Sequence, residues 1–295
     1  MCSMPTSPRQ GFLRTDDGVE LFYRVVGEGQ PALVCCNGVG VSTFFWKYLS
    51  RRFAGERAVV TWDYRGHNRS GIPGPDQRVD IPRMAQDLGT IVDGLGLERP
   101  VFLGHSMGAQ VILERYRQAP DSVSGLISVL GTAGHPLDTF GGLKLSRTLF
   151  DLVLATNEIL PRSLDTFSKI LLALPGAYDL ARLAKMVDGG RLSRHDLRQY
   201  LHQLTDMGTP LFCRMLEELG EHTAWDVLPI VQVPTLVIAA EFDGFTPPEL
   251  AHRVADALPD AEFLMLDGAS HAGIVEQPER INEVVAEWLG RRILA

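Results

Sequence analysis

The chain has 295 residues, 45% of them hydrophobic, enough to bury a large core in one or two domains. A net charge of −8 argues against nucleic acid as a partner, because nothing supplies a basic stripe to neutralise phosphates. No run reaches the roughly 18 apolar residues of a membrane span, and residues 1–10 (MCSMPTSPRQ) lack the apolar segment of a signal peptide, so a soluble, cytoplasmic protein is expected.

Short apolar, β-branched runs alternate with longer helical patterns, the rhythm of an α/β fold whose mostly parallel sheet is covered on both faces. Strands are expected at Gly11–Thr15, Val19–Val26, Ala32–Cys36, Ala58–Trp62, Val101–Gly104, Leu126–Leu130, Thr235–Ala239 and Glu262–Leu266. The first two, joined through Asp16-Asp17-Gly18, read as an antiparallel hairpin at the sheet edge. Cys35 and Cys36 are adjacent in a strand and point to opposite faces, which suits buried free thiols better than a disulfide or a metal site. Helices are expected at Ile81–Gly94, Met107–Gln118, Pro248–Leu258 and Arg280–Arg292; in the last, Ile281, Val284, Val285 and Trp288 share one face. Between Gly134 and His222 the rhythm changes to helical patterns alone (LSRTLFDLVLA, FSKILLAL, YDLARLAKMV). That stretch reads as an α-helical insertion over the carboxyl edge of the sheet, dividing the chain into 1–133, 134–222 and 223–295. Helices that merely pack on the core are the alternative.

The chemistry centres on Gly104-His105-Ser106-Met107-Gly108, directly after an apolar strand and before a helix. In that context G-x-S-x-G forms a sharp turn that exposes the serine hydroxyl above the sheet, and the glycines spare it bulky neighbours. A serine hydroxyl needs a base to take its proton. His271, in a loop after the last strand, is the candidate, while the side chain of His105 is expected to project away from Ser106. The remaining histidines (67, 135, 195, 202, 222 and 252) read as surface or capping residues. A carboxylate must then orient the base and stabilise its imidazolium. Asp243, just past TLVIA, fits this role, with Glu241 as its rival two residues away. All three groups follow strands, where open α/β sheets place their sites.

Taken together, VCCNGVG (34–40), DYRGHNRSG (63–71), GHSMGA (104–109), AEFDGFTP (240–247) and DGASHA (267–272) make the stretch from Gly11 to Trp288 resemble the α/β-hydrolase superfamily. The resemblance implies a doubly wound, eight-stranded sheet, a helical cap inserted after the sixth strand, and no cofactor. It also implies an oxyanion hole built from the backbone N–H groups of Val39 and Met107. Two positions depart from the pattern. Asn37 stands where many relatives carry histidine, which affects how the loop is hydrogen-bonded, and Asn68 stands where relatives often carry glycine. Asn-Gly at 37–38 is also similar to some polyhydroxyalkanoate depolymerases. Relatives with aspartate at the elbow are dehalogenases and epoxide hydrolases, so Ser106 implies acyl transfer to water.

The expected function is therefore hydrolysis of a small or medium, largely apolar carboxylic ester through an acyl-enzyme. A lactonase, thioesterase, polyester depolymerase, carbon–carbon bond hydrolase or cofactor-free haloperoxidase remains open, as does a receptor of the same fold with little turnover. Phe140, Leu145, Phe150 and Leu154 are candidates to line the pocket, and core packing is the alternative for each. With neither HExxH nor Cys-x-x-Cys, no metal site is expected. A small-molecule substrate is the expected partner, and a monomer or homodimer the expected assembly.

Overall fold

The computed structural model describes residues 8–136, 146–173 and 194–294. Eight strands form one sheet: β1 (Arg9–Arg14), β2 (Glu20–Val26), β3 (Leu33–Cys36), β4 (Val59–Trp62), β5 (Val101–His105), β6 (Gly125–Val129), β7 (Thr235–Ala240) and β8 (Ala261–Leu266). Their order is β1-β2-β4-β3-β5-β6-β7-β8. The β1–β2 and β2–β4 pairs are antiparallel and every other pair is parallel. From β3 the order runs one way to β4 and the other way to β5 and onward. The loops leaving β3 and β5 therefore diverge at a topological switch point, where open α/β sheets form their crevice.

The inner parallel strands β3 to β7 are buried on both faces, so they read as continuous apolar runs rather than alternations. Successive side chains nevertheless sort to opposite sides. Leu33 and Cys35 join one buried cluster with Phe53 and Trp288, whereas Val34 and Cys36 join the other with Trp62 and Phe102. Both cysteines are free and buried. Helices α1 (Lys47–Phe53), α9 (Gly273–Glu276) and α10 (Pro278–Arg292) cover the first face, and α2 (Ile81–Gly94), α3 (Met107–Gln118) and α8 (Pro248–Ala257) the second. Helix α2 starts cleanly, because the Asp80 side chain accepts from Arg83 N–H at 2.8 Å and Pro82 occupies its first turn. The β1–β2 turn is anchored by buried Arg65, which makes two bonds to Asp87 (2.7 and 2.8 Å) and two to Asp17 (2.9 and 3.2 Å).

The sequence reading placed no element over 43–53, yet Thr43–Trp46 is a 3₁₀ turn leading straight into α1. Seven residues with no side-chain cap give too little periodicity to stand out, and burial of Trp46, Leu49 and Phe53 is what holds the segment.

Between β6 and β7 lie α4 (Ser146–Ile159), α5 (Pro161–Ala173), α6 (Arg194–Met207) and α7 (Thr209–Glu221). The predicted helix YDLARLAKMV falls outside the described residues. The chain leaves and re-enters at one place: Gly134 bridges Thr223, and Ala224 N–H donates to Ala133 O at 2.7 Å. Helix α7 sinks Leu211, Met215 and Leu219 into the main core beside Met107 and Val111. Helix α6 is tied to the segment after β3 by a Lys47–Asp196 ion pair and a Gln203–Ser42 hydrogen bond. Among the described residues no helix is long and apolar enough to cross a membrane.

Candidate active site

Ser106 is the single residue between β5 and α3, with φ of 54° and ψ of −118°. This is a conformation that L-residues rarely hold, and the surrounding bonds must impose it. Ser106 N–H donates to Val129 O at 3.1 Å, and Ser106 O accepts from Ala109 N–H at 3.0 Å. The two glycines of the motif are required by close approach. A Cβ at 104 would stand 2.3 Å from Gly108 O, and one at 108 would stand 2.4 Å from Cys36 O. The turn thus packs directly on the end of β3.

His271 follows β8 and Asp243 follows β7, and the sheet brings both to Ser106. Ser106 Oγ lies 2.9 Å from His271 Nε2, and His271 Nδ1 lies 2.8 and 3.0 Å from the two Asp243 oxygens. Asp243 can only accept from a neutral imidazole's Nδ1–H, so the Nε2 lone pair faces the serine hydroxyl. The carboxylate is itself fixed: Oδ1 accepts from Phe245 N–H (2.8 Å) and Thr246 N–H (2.9 Å), and Oδ2 lies 2.8 Å from the Thr246 hydroxyl. Glu241 turns elsewhere, accepting from Gly268 N–H at 2.8 Å. The histidine loop is braced by buried Glu276, which accepts from Ser270 N–H (2.9 Å) and the Ser270 hydroxyl (2.6 Å).

His105, expected to project away from Ser106, lies against the base. Its ring packs 5.2 Å from that of His271, and its Nε2 lies 3.1 Å from the His271 carbonyl. Burial, with the neighbouring His271 second, pushes its pKa down to about 3, so it stays neutral and donates from Nε2.

The loop after β3 approaches Ser106 closely: a Cβ on Gly38 would be 3.2 Å from Ser106 Cβ. Asn37 holds this loop from beneath, donating to Trp62 O at 2.7 Å and accepting from Trp46 Nε1 at 2.9 Å. It thus joins β4 to the 3₁₀ turn, which is how an amide shapes the loop where relatives carry histidine. Asn68 also has a physical account. Its φ is 42°, a region asparagine tolerates better than other residues with a Cβ, and its amide donates to Asp63 Oδ2 at 2.9 Å. Asp63 in turn accepts from Thr43 N–H at 3.1 Å, and burial pushes its pKa up to about 6.

His67 departs from the expected surface role. It is buried and accepts from Gly40 N–H at 3.0 Å, while its other nitrogen lies 3.2 Å from Arg65 O. Burial holds its pKa down to about 4, so it remains the neutral acceptor that the Gly40 contact needs. Its place inside DYRGHNRSG was the available signal, but its partner lies 27 residues away and meets it only in the fold.

Ser106, His271, Val39 and Met107 open into a cavity of about 500 Å³. Helices α4, α5 and α7 supply most of the opposite wall, chiefly valine, leucine and phenylalanine. Phe150 lines the cavity as expected; Leu154 is half-buried outside it, and Phe140 and Leu145 lie outside the described residues. Val153, Phe167 and Phe212, which the sequence did not single out, are also part of the lining. A hydroxyl in contact with an oriented imidazole, beneath an apolar chamber, can attack a carbonyl carbon and expel an alcohol.

Among curated proteins, a candidate carbamate hydrolase RutD from Azorhizobium caulinodans is 26% identical over 282 residues, 92% of this chain and 95% of that one. A candidate 2-succinyl-6-hydroxy-2,4-cyclohexadiene-1-carboxylate synthase from Bacillus subtilis is 28% identical, covering 94% of this chain and 97% of its own. Among solved structures, an esterase from Exiguobacterium antarcticum superposes with a TM-score of 0.78 at 20% identity, over 96% of this chain and all 100% of that chain. The sequence profile of the alpha/beta hydrolase family matches residues 33–284, and the chain belongs to that family.

Proposed function

We propose that this protein is a serine hydrolase that cleaves a small or medium, largely apolar carboxylic ester. The observation that carries the reading is the Ser106–His271–Asp243 chain, with contacts of 2.9 and 2.8 Å, opening into an apolar cavity. Ser106 Oγ attacks the ester carbonyl carbon while His271 Nε2 takes its proton. The carbonyl oxygen becomes an oxyanion, held by the N–H groups of Val39 and Met107. On collapse the C–O bond to the alcohol breaks, and the imidazolium returns its proton to the leaving oxygen. Water, deprotonated by His271, then attacks the acyl carbon and releases the acid and Ser106. Asp243 holds the imidazole in the competent tautomer throughout. Helices α4, α5 and α7 act as a cap over the acyl or alcohol chain.

The test is a panel of short and medium p-nitrophenyl esters with wild type and Ser106→Ala. The variant removes one oxygen and no core volume, so the fold is retained while kcat falls about 10⁴-fold or more. A serine-directed phosphonate adds at Ser106 in wild type. Label on another serine, or ligand-dependent stabilisation without turnover, would overturn the reading.

A further inference from the structure

One amide in the wall of the cavity above Ser106 is only half used. Gln110 lies on α3, one helical turn past Ser106, is 1% exposed and lines the cavity. Its Oε1 lies 2.5 Å from Nδ1 of His222, the residue directly after α7. An amide oxygen only accepts, so His222 Nδ1 carries the proton and the Gln110 oxygen is turned to it. The other end of the amide, Nε2, can donate, has no hydrogen-bond partner among the described residues, and keeps access to the space it borders. The other buried polar side chains of the described lining are bonded within the protein: His105 to His271 O, Thr132 to Gly134 O at 3.3 Å, Thr246 to Asp243 and Asp196 to Lys47.

A plain alkyl chain packed along α3 covers Nε2, displaces water from it and offers no acceptor in exchange, which is costly for a buried donor. An oxygen in the same chain restores the bond. Residues four apart on a helix have Cβ atoms about 6 Å apart. The oxygen therefore belongs about four or five atoms along the chain, counting the carbonyl carbon that Ser106 attacks as the first.

We propose that Gln110 is a specificity-determining residue: its amide N–H anchors an acceptor oxygen in the substrate chain, so the enzyme prefers oxygenated chains (ether, keto or hydroxyl) to plain alkyl esters. The proposal rests on the ester-hydrolase reading and names the substrate class of that same site.

The test uses the full chain and three p-nitrophenyl esters of equal length: the hexanoate, the 3-ethoxypropanoate and the 4-methoxybutanoate, in which one methylene is replaced by oxygen. Hexyl acetate and 2-propoxyethyl acetate make the same comparison on the alcohol side. Each kcat/KM is divided by the ester's alkaline hydrolysis rate, which removes the inductive effect of the oxygen. In wild type, on at least one of the two chains, an ether ester should match or exceed its alkyl counterpart, although it is the more hydrophilic. Gln110→Met keeps the length and removes the donor, so that ratio should fall about tenfold, the usual worth of one buried hydrogen bond. Gln110→Glu, assayed at pH 8, keeps an oxygen for His222 Nδ1 and puts an acceptor in place of the donor. It should lower the ratio at least as far, and it keeps the test open if Gln110→Met misfolds. A ratio unchanged on both chains, an equal loss on every ester, or a ratio that rises in Gln110→Met would overturn the assignment. The same order can be read without turnover, as thermal shifts of Ser106→Ala with hexanamide, 3-ethoxypropanamide and 4-methoxybutanamide, repeated in Ser106→Ala/Gln110→Met. Absence of wild-type turnover on every ester would strike the ester reading, while loss of the ether preference in the double variant decides Gln110.

Discussion

Replacing Asp243 by asparagine tests whether the carboxylate acts by orienting the imidazole. The position of Oδ1 faces two backbone donors, Phe245 N–H at 2.8 Å and Thr246 N–H at 2.9 Å, so the amide oxygen of asparagine must occupy it. The amide nitrogen then takes the place of Oδ2, 2.8 Å from His271 Nδ1, and offers a proton to that atom. His271 is forced to accept at Nδ1 and to carry its own proton at Nε2, facing Ser106 with a donor instead of a base. The Thr246 hydroxyl loses nothing, because Leu130 O lies 2.9 Å away and can take its proton while the hydroxyl accepts from the amide. All buried groups therefore remain paired, and stability should change by about 1 kcal/mol or less. The imidazolium formed during attack also loses its counter-charge. A fall in kcat of about 10³- to 10⁴-fold is expected, equivalent to roughly 4–5.5 kcal/mol of barrier. Glu241→Gln, which touches only an exposed contact to Gly268 N–H, should leave kcat within about twofold and stability within about 0.5 kcal/mol. Initial rates on a p-nitrophenyl ester, with melting curves for both variants, decide the matter. An Asp243→Asn enzyme that kept a tenth of wild-type kcat, or a reversed ranking of the two variants, would refute the reasoning.

Two further perturbations reach the parts that support this chain. Gly108→Ala places a methyl 2.4 Å from Cys36 O, where only backbone can yield; a cost of about 3 kcal/mol, or roughly 6–12 °C in Tm, should appear in thermal denaturation, and an unchanged Tm would contradict the close packing of the elbow on β3. His67→Phe keeps a ring but strands Gly40 N–H, so kcat should fall about tenfold with KM little changed, as expected if the loop positions the oxyanion rather than the substrate. The same variant has a pH signature. Because His67 sits at about 4 in the native protein against 6.5 when unperturbed, the unfolded chain binds a proton that the native one refuses between those values, and stability is lost as pH falls through that window. His105 contributes with the same sign down to about 3, and Asp63, raised to about 6, with the opposite sign. Tm measured from pH 6.5 to 4 should thus drop less steeply for His67→Phe than for wild type, and equal slopes would remove His67 from the account.

What could be read from the chain follows from how local each signal is. Buried parallel strands appear as unbroken apolar runs, so β3 to β7 are visible at near-correct limits. The elbow is visible because its glycines and serine are neighbours in sequence. Asp243 and His271 could be placed because each follows a strand; Glu241 remained as the lesser rival two residues away, and geometry shows that it turns to Gly268. The contacts that were invisible join distant positions. Gly40 and His67 are 27 residues apart and Lys47 and Asp196 are 149 apart, and no spacing rule predicts either pair. Helix α1 escaped for a different reason, being too short to show a period and held by what Trp46 and Phe53 pack against.

The bridge between Gly134 and Thr223, reinforced by the 2.7 Å bond from Ala224 N–H to Ala133 O, has a consequence for how this protein can change. With both ends of the intervening stretch pinned side by side, the sheet sees a closed loop whose cost grows only slowly with its length. Residues between them can be lengthened, shortened or exchanged as a unit without moving β6 relative to β7, and therefore without moving the loops that carry Asp243 and His271. Chamber shape and bond-breaking machinery are thereby free to evolve on separate schedules. A graft of a relative's 134–222 equivalent at this joint is the natural place to begin retailoring which molecules the chamber accepts.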